Sequence, residues 1–239
     1  MENKTQFILP SFIVGLCLVA SFAVLGWYQK QARIENSLSV TGSAKQRITS
    51  DRVKWTGGFA RTVGINELKS GYSQMESDKQ IVYNFLVLKK IPPNEINISA
   101  VFVEEPNRYN QQGSQTYSLR QTVEVKSSEV AKITDLAKNL QGLIDGGVIF
   151  STQNLEYTYS KLPELRVNML EAAVKDARAR AEKIAQSTGK ILGSAKSASQ
   201  GVVQLLPPES NDVSDYGAYD GQSIEKDAMV TVKLNFELK

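Results

Sequence analysis

Histidine is absent from all 239 residues, and the single cysteine, Cys17, lies inside an N-terminal apolar run. These shortages remove much catalytic and metal chemistry. No Cys or Cys/His zinc site, no Ser-His-Asp triad and no Cys–His nucleophile pair can be assembled. Beyond that run the chain has no thiol and can form no disulfide, which suits an oxidising compartment without requiring one. A surplus of one charge is also lacking. The formal net charge is +3, and Lys4, Lys30 and Arg33 against Glu2 place two of those charges in residues 1–34. A nearly neutral body lacks the clustered cations that a phosphate-binding surface needs, so no nucleic-acid partner is expected. No cofactor and no metal are expected either. Asp212, Asp215 and Asp220 are close in sequence, but their spacing does not match a calcium-binding loop.

Hydrophobic content of 41% against 22% charged residues belongs to a globular protein, so the body is expected to fold. The apolar run itself, FILPSFIVGLCLVASFAVLGWY (Phe7–Tyr28), carries no charge. At about 1.5 Å per residue it reaches ~33 Å, enough to cross a hydrocarbon core of about 30 Å. Phe7, Ile13, Leu18 and Leu25 supply apolar surface, and Trp27 and Tyr28 sit where amphipathic rings favour the interface. A cleaved signal peptide is the rival reading, but it would have a shorter core and a small-x-small exit. A lipoprotein signal is disfavoured by Leu16 before Cys17. The expected organisation is a tail over 1–6, a transmembrane anchor over 7–28, a linker over 29–36 and one body over 37–239. Cations flank the span on both sides, so charge alone does not orient it.

Along the body, period-2 and period-3.6 patterns alternate. Strands are expected at Ser37–Ser43, Arg52–Val63, Glu95–Glu104, Thr116–Lys126, Val148–Tyr159, Lys190–Leu205 and Ala228–Leu238. Gly57-Gly58 predicts a bulge or a close backbone approach in the second of these. Helices are expected at Glu67–Lys89, Ser128–Leu143 and Pro163–Thr188. Their inward stripes are Leu68, Tyr72, Met75, Val82 and Leu86 in the first, and Val130, Ile133, Leu136, Ala137, Leu140 and Ile144 in the second. The third has Leu165, Met169, Ala172, Ala173, Ala177, Ala181 and Ile184. Pro163 opens the third helix and Gly189 ends it. Residues 105–115 read as a hairpin tip and 207–222 as a loop. The order gives an α+β class, with helices packed on a mostly antiparallel sheet behind an N-terminal transmembrane helix. The body is one domain, and the same order allows two lobes.

Three stretches taken together resemble the SIMPL (DUF541) family. VTGSAKQRITSDRV (40–53) is similar to its opening strand, V-x-G and polar turn. VKDARARAEKIAQSTGKILG (174–193) is similar to its third helix, an A-x-x-D-A-R-x-R-A-E pattern closed by glycine. MVTVKLNFEL (229–238) is similar to its last strand. The helix before IPPNEI (91–96) also fits. SIEKDA (223–228) departs from the turn that usually leads into that strand. The resemblance implies a bacterial, exported protein held by an N-terminal signal or anchor. It implies a single-pass inner-membrane location with the body in the periplasm, a homo-oligomer and a link to envelope stress.

Asp176, Arg178, Arg180 and Glu182 are the candidate contact surface; the plainer reading is a solvated helix face with pairs Asp176–Arg180 and Arg178–Glu182. Glu104, Glu105 and Glu124 could be paired carboxylates, but nothing in the sequence fixes their separation. Arg108-Tyr109 and Tyr216–Tyr219 could be recognition loops. No catalytic residue is assigned and no enzyme is expected. The expected function is self-assembly or partner contact at the membrane. The alternative is a small-molecule or lipid-binding module with an apolar pocket between helices and sheet.

Overall fold

The computed structural model describes residues 15–29, 37–105, 116–210 and 217–239. Helix α1 covers residues 15–29. There follow β1 (Ser37–Thr49), β2 (Arg52–Gly64), α2 (Leu68–Leu88), β3 (Ile96–Ile98), β4 (Phe102–Glu104) and β5 (Thr116–Ser127). Next come α3 (Val130–Lys138), α4 (Gln141–Asp145), β6 (Phe150–Thr158), α5 (Leu162–Ser187), β7 (Leu192–Gln200), β8 (Gln204–Leu206) and β9 (Glu225–Leu238). The class is α+β, with antiparallel pairing of β2 with β5 and β6, of β3 and β4 with β5, and of β7 with β9.

The chain divides into two compact units, one of Met1–Lys45, Arg166–Val203 and Met229–Lys239, the other of Gln46–Leu165 and Gln204–Ala228. In the second unit the sheet order is β3-β5-β2-β6, with β4 also on β5. Inward alternation on β2 and β5 buries Val53, Trp55, Phe59, Leu119, Val123 and Val125. Helix α2 adds Met75, Val82 and Leu86, and α3 adds Ile133. Burial of each large side chain contributes about 2 kcal/mol, so this layer dominates the unit's stability. The glycine pair marks the irregularity expected of it. The β2–β6 register shifts between Thr56 and Gly57. At Gly57 a side chain would meet the Phe150 ring, which lies 5.6 Å from that of Trp55.

Three expectations are corrected here. The strand expected over Glu95–Glu104 is two short strands, because Ser99 turns out of line. Its amide donates to the Thr122 carbonyl (2.9 Å), and its own carbonyl accepts from Gln121 Nε2 (2.9 Å). The helix expected over Ser128–Leu143 breaks at Asn139, whose amide bonds back only three residues to Leu136. The break resets the phase, so Leu143 is buried and Ile144 exposed. The strand expected to end at Ser43 continues to Thr49, with Ile48 buried near its end, so that only Ser50 and Asp51 separate it from β2.

In the first unit α5 lies on a face formed by β1 and β9. Its stripe is Met169, Ala173, Ala177, Ala181 and Ala185, at four-residue intervals. Ala172 and Ile184, expected inward, are exposed. Ala173, Ala177 and Ala181 pack with Val40, Val232, Leu234 and Phe236. Small side chains let the helix approach until it touches strand backbone at Gly42. A Cβ there would lie well under 3.0 Å from Ala173 O and Ala177 N, and 2.6 Å from Ala177 Cβ. Gly189, with φ 68°, ends the helix, and Lys190 N donates to Ala185 O (2.9 Å) in the closing turn.

The expected anchor is not shown. No helix among the described residues is long and apolar enough to cross a membrane. Phe7 and Ile13 lie outside the described residues, as does most of the expected linker, while Leu18, Leu25, Trp27 and Tyr28 are exposed on α1.

Gly42→Ala should cost about 3 kcal/mol, the upper end for overpacking, because both neighbours are helix backbone and cannot rotate away. Urea titration of the variant should show the loss; a midpoint within error of wild type would contradict this packing.

Candidate functional site

The acidic and basic residues singled out on α5 form two intrahelical pairs. Arg180 Nε lies 2.9 Å from Asp176 Oδ2, and Arg178 Nε lies 3.0 Å from Glu182 Oε1. Asp176 does more: its carboxylate accepts the backbone amide of Ser43 at 2.8 Å, one residue beyond the Gly42 contact. That amide, and then Arg180, hold its pKa below the ordinary carboxylate value. The motif V-x-G and the motif A-x-x-D-A-R therefore meet at one place.

The other candidates do not converge. Glu104 pairs with Arg120 (3.1 Å) and Glu124 with Lys126 (2.7 Å). Tyr219 is exposed and bridges to Leu205. Arg108, Tyr109, Tyr216, Asp212 and Asp215 lie outside the described residues. The Asp220 carboxylate accepts the amides of Gln222 (2.7 Å) and Ser223 (3.2 Å), shaping the loop before β9.

Charged groups that sequence reasoning passed over are buried in the second unit. Asp78 of α2 receives Arg61 of β2 through two hydrogen bonds, 2.5 and 2.8 Å. Lys226 is fully buried at the start of β9 and donates to the carbonyls of Tyr157 (2.9 Å) and Asp220. Burial pushes its pKa down, against the opposing pull of Asp220 and Glu156. Asp227 receives Arg47 Nε (2.6 Å) and the Glu209 amide (3.0 Å). The signal was available. Arg61 follows Val53, Trp55, Gly57 and Phe59 in the inward phase of β2, and Asp78 falls in the stripe of α2 between Met75 and Val82. Lys226 lies in phase with Ala228 and Val230.

One cleft opens on the second unit's sheet, about 300 Å³ in volume, over the ends of β2, β5 and β6. Arg52, Lys54, Lys126, Ser127, Glu156 and Thr158 line it. Lys54 stands opposite Lys126 on one side and Glu156 on the other, with Nζ 2.9 Å from Glu156 Oε2. It gathers charge and the aliphatic stems of long side chains. It is not the apolar pocket between helices and sheet that the binding-module reading expected.

The family model described as SIMPL, a protein of unknown function (DUF541), matches residues 38–236. No curated protein matches the chain.

Two outcomes follow from these shifts. Asp176 is more acidic folded than unfolded, so its stabilisation is full above the unfolded value near pH ~3.9 and is lost as pH falls through the lower folded value. Asp176→Ala should cost about 1–2 kcal/mol at neutral pH, and the gap to wild type should close as melts are taken from pH 5 towards 2. Lys226 has the opposite behaviour: the unfolded chain holds its proton more tightly, so stability rises with pH towards the unfolded value of about 10.4. Wild type should therefore gain on Lys226→Met between pH 7 and 10 in denaturant titrations; a constant difference would contradict the burial of a charged Lys226.

Proposed function

The chain belongs to the SIMPL (DUF541) family, and on that premise we propose a membrane-anchored, non-enzymatic bacterial protein that acts in the periplasm through self-assembly or partner contacts. The carrying observation is the edge of the first unit's strands. Among the described residues the order is β1-β9-β7, which leaves β1 and β7 outermost. Strand β7 is exposed from Ser194 to Gln200, with small side chains and Lys196 as its one charge. Proteins usually block such edges with charge, proline or a covering element. An edge of this kind suits addition of a strand from a second copy or a partner.

The uncharged run Phe7–Tyr28 supports the anchor, and the lack of histidine and of a thiol after residue 17 supports a non-catalytic role. On this reading Asp176, with Arg180, serves the fold, while Arg178 and Glu182 remain on the outer side of α5, where contacts form. A role in envelope stress is the process in which such an assembly would act.

The full chain in detergent should run as a discrete oligomer by light scattering after size-exclusion chromatography. Ser194→Lys and Ser199→Lys, both at exposed positions, should shift it towards monomer. A monomeric wild type would sink the assembly reading.

A further inference from the structure

The cleft on the second unit's sheet carries an inference independent of assembly. Its lining holds three cations, Arg52, Lys54 and Lys126, against one carboxylate, Glu156. Lys54 and Lys126 are directly opposed in the β2–β5 register. Like charges facing across strands destabilise a sheet unless something lies between or beside them. Glu156 takes Lys54 and Glu124 takes Lys126, each within one contact. Arg52 is different: it makes no ion pair among the described residues. Its neighbour in sequence, Asp51, feels the Arg52 charge but takes its hydrogen bonds from Ser160, accepting the amide (2.8 Å) and hydroxyl (2.6 Å). Across β2–β6 Arg52 faces Thr158. The cleft therefore presents one guanidinium that no carboxylate ion-pairs among the described residues, with Thr158 opposite it in register, over walls formed by lysine and arginine stems. Those stems give apolar surface while their heads stay in water.

We propose that this cleft binds a small organic carboxylate, its anionic end on Arg52 and Thr158 and its short apolar body along the stems of Lys54 and Lys126. A planar guanidinium suits two-point recognition of a carboxylate. The aliphatic walls separate this ligand from a bare inorganic anion, which would gain only the charge.

The test uses the full chain in detergent and saturation-transfer NMR with butyrate, with butyramide as the neutral isostere and inorganic phosphate read by its phosphorus line width. Saturable butyrate binding is expected, with no binding of butyramide and weaker binding of phosphate. Arg52→Gln should weaken butyrate about tenfold, the value of one charge-assisted contact, and Lys126→Gln by less. Lys175→Gln, on the solvated side of α5, should leave it unchanged. All three sites are exposed, so melting curves should stay at the wild-type position. Absence of saturable butyrate binding, equal binding by Arg52→Gln, or butyramide binding as well as butyrate would each overturn the proposal. Phosphate binding more tightly than butyrate would overturn the assignment to an organic carboxylate.

Discussion

The contact of Gly42 with α5 is the constraint on which the first unit turns. A helix can lie directly on strand backbone only where the strand has no side chain and the helix has small ones. Gly42 supplies the first condition, Ala173 and Ala177 the second. Asp176 then closes the arrangement by accepting the Ser43 amide, and Arg180 holds Asp176 in turn. Val40, Val232, Leu234 and Phe236 fill the space around the contact. The residues that carry the family resemblance are thus the ones that seat a helix on a strand.

The second unit is fixed by a different device. Charged groups are buried and then satisfied: Asp78 by Arg61 and Asp227 by Arg47, whose own side chains stay partly exposed, and Lys226 by two carbonyls. A buried pair of this kind adds little net stability over apolar packing, but breaking one partner is costly. Its effect is to admit one arrangement of strand and helix and penalise others. Lys226 ties the loop before β9 to β6 in this way, and of SIEKDA only Ser223 and Ile224 lead in, the strand beginning at Glu225.

Most of the strands and helices were legible because apolar residues recur at their inward positions: Val53, Trp55 and Phe59 on β2, Val230 to Phe236 on β9, Met75, Val82 and Leu86 on α2. What escaped were the places where a local hydrogen bond competes with the period. Asn139 splits a helix and Ser99 splits a strand by bonds that no hydropathy pattern records. The buried charges escaped for another reason. Arg61 and Asp78 each look like a solvated residue until both are seen in inward phase on elements that pack together. The ion pairs on α5 were foreseen from spacing, whereas the bond from Asp176 to Ser43 joins residues far apart in the chain. The cleft was invisible in sequence, since it depends on the register of β2 with both its neighbours.

Hydrogen exchange at the Ser43 amide, followed by NMR in the full chain, tests the central role of the β1–α5 contact most directly. If Asp176 and the Gly42 packing hold the unit together, that amide should exchange as slowly as the amides of β9 that lie in the same core. It should also speed up in Asp176→Ala in step with the loss of global stability. A Ser43 amide that exchanges at the rate of an unprotected loop while β9 stays protected would contradict the account.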